Sequence, residues 1–252
     1  MGPGVIEAAI TVTDGLAAAD RAALFKTIIK ILAQRRGLIA TFMAKWSSQQ
    51  AGQSGHIHLS LTRKADGIAA FHNPNTENSI NDTMRYFIGG QQNLMPEMTV
   101  LAAPTVNSYS RLVPDQWAPT EASWGMDNRT CALRVISGGP ESQRVEYRVP
   151  GSDANPYLAL AAAIASGLHG IEQEIAPTAP VTGNAYEAEW STELSLPRSL
   201  SDATTTFSQS AIARDWFGDT FVDHFAATRD WEVRSFAKYV TDWELARYFE
   251  LI

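Results

Sequence analysis

The sequence has a single cysteine, Cys131, in 252 residues. That rules out an internal disulfide framework and a multi-cysteine zinc site, and it fits a reducing compartment, with the cytoplasm as the default location. Positive charge is also in short supply. The formal net charge is −7, and an acidic chain lacks the basic footprint that releases counterions from nucleic-acid phosphates. Nucleic acid is therefore not an expected partner, and an anionic substrate would have to be met by local arginines. Long apolar runs are missing too: the most apolar stretch, Tyr157 to Leu168, is alanine-rich and falls short of the roughly 18 residues that a membrane span needs. No membrane partner is expected, no signal-peptide pattern is present, and Ile6 stands where a myristoylation signal requires Ser or Thr. There is no internal repeat and no low-complexity tract. What is present is 45% hydrophobic residues, enough to bury a sizeable core, and nothing in the composition divides the chain.

Asp14 is placed to cap a helix in which Leu24, Phe25, Ile28, Ile29, Ile31 and Leu32 form a broad apolar stripe, stopped at Gly37; that pattern predicts a packed helix. His56 to Leu61 alternates as a strand. A second helical pattern starts at Ser79, weakened or kinked by Gly89-Gly90 and Pro96. Ala103 to Trp124, with three prolines, reads as a long ordered loop, and loops of that length tend to be functional. Thr130 to Ile136 and Gln143 to Val149 read as a hairpin joined through Gly138-Gly139-Pro140. Asn155-Pro156 opens an alanine-rich, buried helix running to about Ile175. A Pro/Thr/Gly linker at 177–184 leads to a helical remainder that ends in an aromatic-rich segment.

On a strand, Arg144, Glu146 and Arg148 share one face, because side chains alternate. Such a face is either a solvated ladder of ion pairs or a grip for a metal-bound polyphosphate, since guanidinium forks match phosphate oxygens and a carboxylate takes a hard cation. If the hairpin pairs, Arg134 adds a third guanidinium. His56 and His58 also share a face, with Ser60 extending the row, but a His-x-His strand alone is more often surface or core histidine than a metal site. Glu7 alone reads as solvated, and Arg111 as a bond to loop carbonyls.

The order of the pieces says more. The strings Gly2-Pro3-Gly4…Glu7, Ala40-Thr41-Phe42-Met43…Lys45, Ser54-Gly55-His56-Ile57-His58-Leu59-Ser60-Leu61, Asn107-Ser108-Tyr109…Arg111-Leu112-Val113-Pro114, Asn128-Arg129…Arg134, Arg144-Val145-Glu146-Tyr147-Arg148 and Asn155-Pro156-Tyr157-Leu158 closely resemble the successive motifs of glutamine synthetases. They stand in that family's order and nearly at its spacing. The likeness is strong over residues 1–175 and looser beyond.

The resemblance implies an α+β fold of the glutamine synthetase/guanido kinase type, with a curved antiparallel sheet backed by the helices at 14–36 and 155–175. Residues 1–252 would be the C-terminal part of the catalytic domain, lacking the small β-grasp domain that comes first in the family. The implied reaction is ATP-dependent ligation of the glutamate γ-carboxylate to ammonia or an organic amine through a γ-glutamyl phosphate, with Mg2+ or Mn2+ as cofactor and ATP as co-substrate; the intact protein would be a homo-oligomer. Carried over, Glu7 matches a ligand of one metal, and His56 and Glu146 match ligands of the other. His58, Ser60, Arg134 and Arg144 match nucleotide contacts. Arg111 matches the clamp on the substrate α-carboxylate, Gly52 a backbone contact to glutamate, and Arg129 and Arg148 the groups around the transferred phosphoryl and the glutamate.

Three departures stand out. The chain starts on the Gly-Pro-Gly string, without the upstream Glu-x-Glu carboxylates, which implies that these residues alone are inactive. Trp117 stands at the amine site, where ammonia users place a glutamate, and together with the string Tyr239-Val240-Thr241-Asp242-Trp243-Glu244 resembles the γ-glutamyl-amine branch; Asp115 or Glu121 is the alternative carboxylate if Trp117 turns into the core. Glu141 stands where a basic residue often holds the nucleotide. Tyr186 falls loosely where some bacterial members are adenylylated. The competing readings are a non-catalytic relative, which the missing carboxylates would permit, and a guanidino kinase, which the His-x-His and Arg-Leu-Val-Pro strings oppose.

Overall fold

The structure is a computed structural model that describes residues 4–114 and 117–251, so Gly2, Pro3 and Asp115 lie outside the described residues. Helix α1, Gly15–Gln34, ends where Gly37 takes a left-handed φ of 69°, a conformation that costs glycine nothing. Its packing departs in part from expectation: Phe25 of the stripe packs edge-on against Phe42. Ala19 is buried and Gly15 lies against Leu160 and Ile164, but Leu24, Ile28 and Ile31 remain 59%, 49% and 45% exposed. The apolar period correctly marks an amphipathic helix, yet among the described residues only part of that stripe is covered.

Four short strands make one sheet: β1 (Ile57–Leu59), β2 (Trp124–Met126), β3 (Leu133–Ile136) and β4 (Arg144–Tyr147), in the order β1-β4-β3-β2. The three strands read from the sequence pair antiparallel, and β2 adds itself parallel to β3, so the sheet is mixed. The register sorts the side chains cleanly. Leu59, Val145 and Val135 align on one face together with Ile57, Tyr147, Leu133 and Trp124, and this face belongs to a core that also takes in Phe71, Met84, Phe87 and Ala163. The opposite face is left for polar groups.

Two helices back the sheet. Helix α2, Asp82–Ala102, is capped by Asn81, whose Oδ1 accepts from the Met84 N–H, and it runs unbroken through Gly89-Gly90 and Pro96. Helix α4, Pro156–Glu172, is capped by Asn155, and its Ala159, Ala162, Ala163 and Ala165 are buried as expected. The glycines in α2 serve close approach rather than a kink. A Cβ on Gly90 would lie 2.5 Å from the Gly170 backbone, and one on Gly170 would run into the Tyr86 carbonyl. The long loop read at 103–124 contains a one-turn helix, α3 (Val106–Tyr109), closed by a Thr105/Ser108 capping box. A second core joins Leu94, Met98 and Leu101 of α2 to Leu200 and Phe207 of α5 (Leu200–Gln209). Val222 of α7 (Asp219–Phe236) and Ala213 of α6 (Ala211–Phe217) complete it. Helix α8 is Asp242–Tyr248. No helix among the described residues is long and apolar enough to cross a membrane.

Candidate active site

The polar face of the sheet is built by register. His58, Glu146 and Arg134 stand directly opposite one another across β1, β4 and β3. Arg144, further along β4, donates from Nε to His58 Nδ1 at 3.2 Å and from Nη1 to the Ser142 carbonyl at 2.7 Å. Ser60 is exposed just past the end of β1. Burial and the charge on Arg144 both act against a proton on His58, so its pKa is lowered, which keeps the ring a neutral acceptor.

Glu146 is the centre of this face. It is buried, and its Oε1 lies 2.9 Å from His56 Nδ1 and accepts from Arg148 Nη1 at 2.6 Å, while Oε2 accepts from Arg134 Nη1 at 3.2 Å. Burial pushes its pKa up, but the His56 hydrogen bond and the Arg148 charge outweigh burial and hold it near 2. The carboxylate is therefore charged at any physiological pH. A ladder of solvated surface pairs does not describe this arrangement, because Glu146 and Arg148 are both buried. Arg134 extends the network outward to Asp127 Oδ1 at 2.9 Å.

A second cluster lies in the loops beneath β1 and β4. Arg111 is buried, and its Nη2 donates to the Val149 carbonyl. Its stem lies on Gly52, where a Cβ would sit 2.8 Å from Arg111 Cδ and 2.8 Å from the Ala44 carbonyl oxygen. Any side chain at position 52 would displace the arginine. Burial lowers the Arg111 pKa to about 10, with Asp153 opposing the fall, so the guanidinium stays charged. The loop-carbonyl bond read from the sequence is present, and so is the convergence of Arg111 with Gly52.

Four residues singled out from the sequence stay apart from these clusters. Glu7 is exposed in the irregular segment before α1. Arg129 is exposed in the turn that follows β2. Trp117 is 71% exposed and holds a left-handed φ of 59°, so it does not point into the core. Glu141 is exposed in the β3–β4 turn. For a divalent cation, the donors at hand are the His56 ring and the Glu146 carboxylate, which hydrogen-bond each other at 2.9 Å, so a cation would have to take the place of that shared proton. Among the described residues no three His, Cys, Asp or Glu side chains gather at one point, so the remaining donors would be water, phosphate or groups beyond these residues.

The sequence matches the glutamine synthetase catalytic domain over residues 1–248. The chain belongs to the glutamine synthetase family. It is 46% identical to a type-1 glutamine synthetase of Dictyostelium discoideum over all of this chain and 48% of that protein. It is 41% identical to a glutamate–isopropylamine ligase of a Pseudomonas species, over all of this chain and 54% of that protein. A γ-glutamylethanolamide synthetase of Streptomyces coelicolor is 43% identical, over 98% of this chain and 52% of its own length. A solved structure of GmaS without ligand superimposes with a TM-score of 0.83 at 33% identity, over 94% of this chain and 54% of that one. The chain thus spans about half the length of the curated relatives it matches.

Within this glutamine synthetase frame, two groups escaped the sequence reading. Asp127, the outer partner of Arg134, sits at a φ of 46° directly after β2, and a three-residue strand is too short to announce itself by alternation. Asp153 receives the hydroxyls of Thr105 and Ser108 at 2.8 and 2.5 Å. The Thr-x-x-Ser spacing was the available signal, with Ser standing in for the Glu or Gln of the usual capping box.

Proposed function

We propose that these residues are the C-terminal part of the catalytic domain of an ATP-dependent ligase that joins the γ-carboxylate of glutamate to an amine through a γ-glutamyl phosphate. The observation that carries this reading is the buried Glu146 carboxylate gripped by His56, Arg134 and Arg148 on one polar sheet face. Phosphoryl transfer between two anions is governed by positioning and charge neutralisation, and this face concentrates both in an acidic protein. Arg134, Arg144, His58 and Ser60 bind the nucleotide. Arg148 holds the transferred phosphoryl group as the glutamate carboxylate attacks it and ADP departs, and the amine then displaces phosphate from the acyl phosphate; Arg129, exposed in the turn after β2, is given a part at the same group by the family resemblance alone. Arg111 and Gly52 fix the α-carboxylate end of glutamate. Mg2+ or Mn2+, held by His56 and Glu146 with Glu7 serving a second cation, would supply the remaining neutralisation of the polyphosphate.

The amine is organic rather than ammonia. Trp117 presents an exposed indole, whose π face attracts an alkylammonium group by roughly 0.5–2 kcal/mol, whereas ammonium needs an anionic acceptor that an indole cannot provide. Among the relatives, the isopropylamine ligase and the ethanolamide synthetase carry names in that direction, whereas the relative at 46% identity is a glutamine synthetase. The intact protein works as a homo-oligomer, and residues 1–252 alone do not turn over.

Titrating the purified chain with Mn2+ by electron paramagnetic resonance, together with an assay of glutamate-dependent phosphate release, tests the proposal. The expected result is cation binding that Glu146→Gln removes, without turnover. Cation binding indifferent to Glu146→Gln overturns the site, and phosphate release on the order of 1 per second overturns the claim of inactivity.

A further inference from the structure

Asp153 lies in the loop that follows β4, away from the sheet face that carries Glu146. Its Oδ2 accepts from Thr105 Oγ1 at 2.8 Å and from Ser108 Oγ at 2.5 Å, so one carboxylate oxygen clamps both members of the capping box that defines α3. Its Oδ1 is buried and has no hydrogen-bond partner among the described residues. Arg111 follows α3 two residues after its last member and is fixed at one end by the Val149 carbonyl, while its Nε is likewise buried without a partner. The surrounding loops are sewn together by backbone. Ser152 N–H donates to the Gln53 carbonyl at 3.1 Å, Gly55 N–H donates to the Pro150 carbonyl at 2.9 Å, and the Asn107 side chain bonds the Lys45 N–H and carbonyl at 2.9 and 2.8 Å.

A carboxylate serving structure alone would be spent on its nearest buried cation, since leaving both groups short of partners is costly. Here the carboxylate is committed on one oxygen to the α3 cap, and the guanidinium keeps unsatisfied donor capacity while still being offset in charge by Asp153. A cation that is held rigidly, kept charged and left short of hydrogen-bond acceptors is prepared to receive an incoming carboxylate. We propose that Asp153 is a positioning residue for the substrate-carboxylate anchor: it locks α3 onto the loop after β4 and holds Arg111 against Gly52, charged and incompletely paired. This rests on the reading of Arg111 and Gly52 as the glutamate end of the site. It adds a residue that would not touch substrate.

The test uses the whole chain, with Asp153→Asn to remove the charge at nearly constant shape. Thr105→Val and Ser108→Ala provide a second pair of variants that keep the charge but release the clamp. Three readouts are compared: the Kd of L-glutamate by calorimetry in the presence of Mn2+ and a non-hydrolysable ATP analogue, the Kd of Mn2+ alone, and the Nε–Hε cross-peak of Arg111 in arginine-labelled protein by NMR. Asp153→Asn is expected to raise the glutamate Kd at least tenfold, to leave the Mn2+ Kd within twofold and to displace the Arg111 cross-peak. The clamp variants give a two- to fivefold rise with a smaller displacement.

A glutamate Kd within twofold of wild type and an unmoved cross-peak overturn the proposal while leaving the ligase reading intact. Parallel loss of glutamate and Mn2+ affinity with a lowered melting temperature also overturns it, because that is what a general structural role produces. If the wild-type chain does not bind glutamate but Asp153→Asn still displaces the Arg111 cross-peak, the positioning of Arg111 stands and the glutamate reading of the site is what fails.

Discussion

Replacing Glu146 by Gln removes one charge from a carboxylate that serves three donors and leaves its volume almost unchanged. Oε1 of the amide can still accept from Arg148, but its NH2 would face the Arg134 guanidinium, which presently donates to Oε2. Two estimates of the cost agree in size. The folded carboxyl sits near 2 against an ordinary 4.5, which is on the order of 3 kcal/mol of preferential stabilisation of the charged form. Breaking a buried ion network by removing one partner costs about 3–5 kcal/mol. In a chain of this size that lowers the melting temperature by roughly 6–12 °C at neutral pH.

The acid dependence follows the same sign. The folded-state pKa is depressed, so the contribution is fully present above the unfolded value of 4.5 and is lost as the pH falls through the folded value near 2. Wild type and Glu146→Gln should therefore converge on acidification, with about 2 of the about 3 kcal/mol gone by pH 3. Urea unfolding of both proteins at pH 7, 5, 4 and 3 reads the difference directly. A gap below about 1 kcal/mol at pH 7, or one that does not narrow between pH 4.5 and pH 3, would refute the assignment of Glu146 as a buried, triply held carboxylate.

Further outcomes are expected elsewhere in the fold. Gly170→Ala places a methyl against the Tyr86 carbonyl and should cost about 1–3 kcal/mol by separating α2 from α4, checked by chemical denaturation. Gly52→Ala should cost a similar amount and also weaken glutamate binding, measured by calorimetry, because the new Cβ displaces Arg111. Trp117→Gly relieves a left-handed backbone at an exposed position and should leave stability unchanged or raise it by roughly 0.5–1 kcal/mol. The same substitution should weaken binding of an alkylamine, and a clear loss of stability would mean that the indole is anchored in structure.

The site was more legible than its setting. Two-residue alternation in Arg144-Val145-Glu146-Tyr147-Arg148 was enough to sort charge from core, and the pairing of Arg134 with Glu146 followed from the Gly-Gly-Pro turn. Helix α4 announced itself by the Asn-Pro start and an alanine-rich body. The rest was hidden for specific reasons. Gly89-Gly90 reads locally as a helix breaker, and only the presence of Gly170 opposite, about 80 residues away, turns it into a contact. The short β2 carries too few residues to show a period, and its parallel pairing with β3 leaves no hairpin signal in the sequence. The exposed stripe of α1 is the converse case: periodicity identifies an apolar face but says nothing about what lies on it.

The hairpin that joins Arg134 to Glu146 spans only 12 positions, whereas His56 reaches the same carboxylate from 90 positions away. Closing the short loop costs little chain entropy, and closing the long one costs more and waits on the surrounding core. The charged centre should therefore assemble in two stages, with the arginine–carboxylate pair forming early and the histidine arriving late. In kinetic experiments, substitutions at Arg134 should slow refolding, whereas substitutions at His56 should mainly accelerate unfolding. A chain caught between those stages would already carry the Arg134–Glu146 pair but would lack the imidazole on the other carboxylate oxygen.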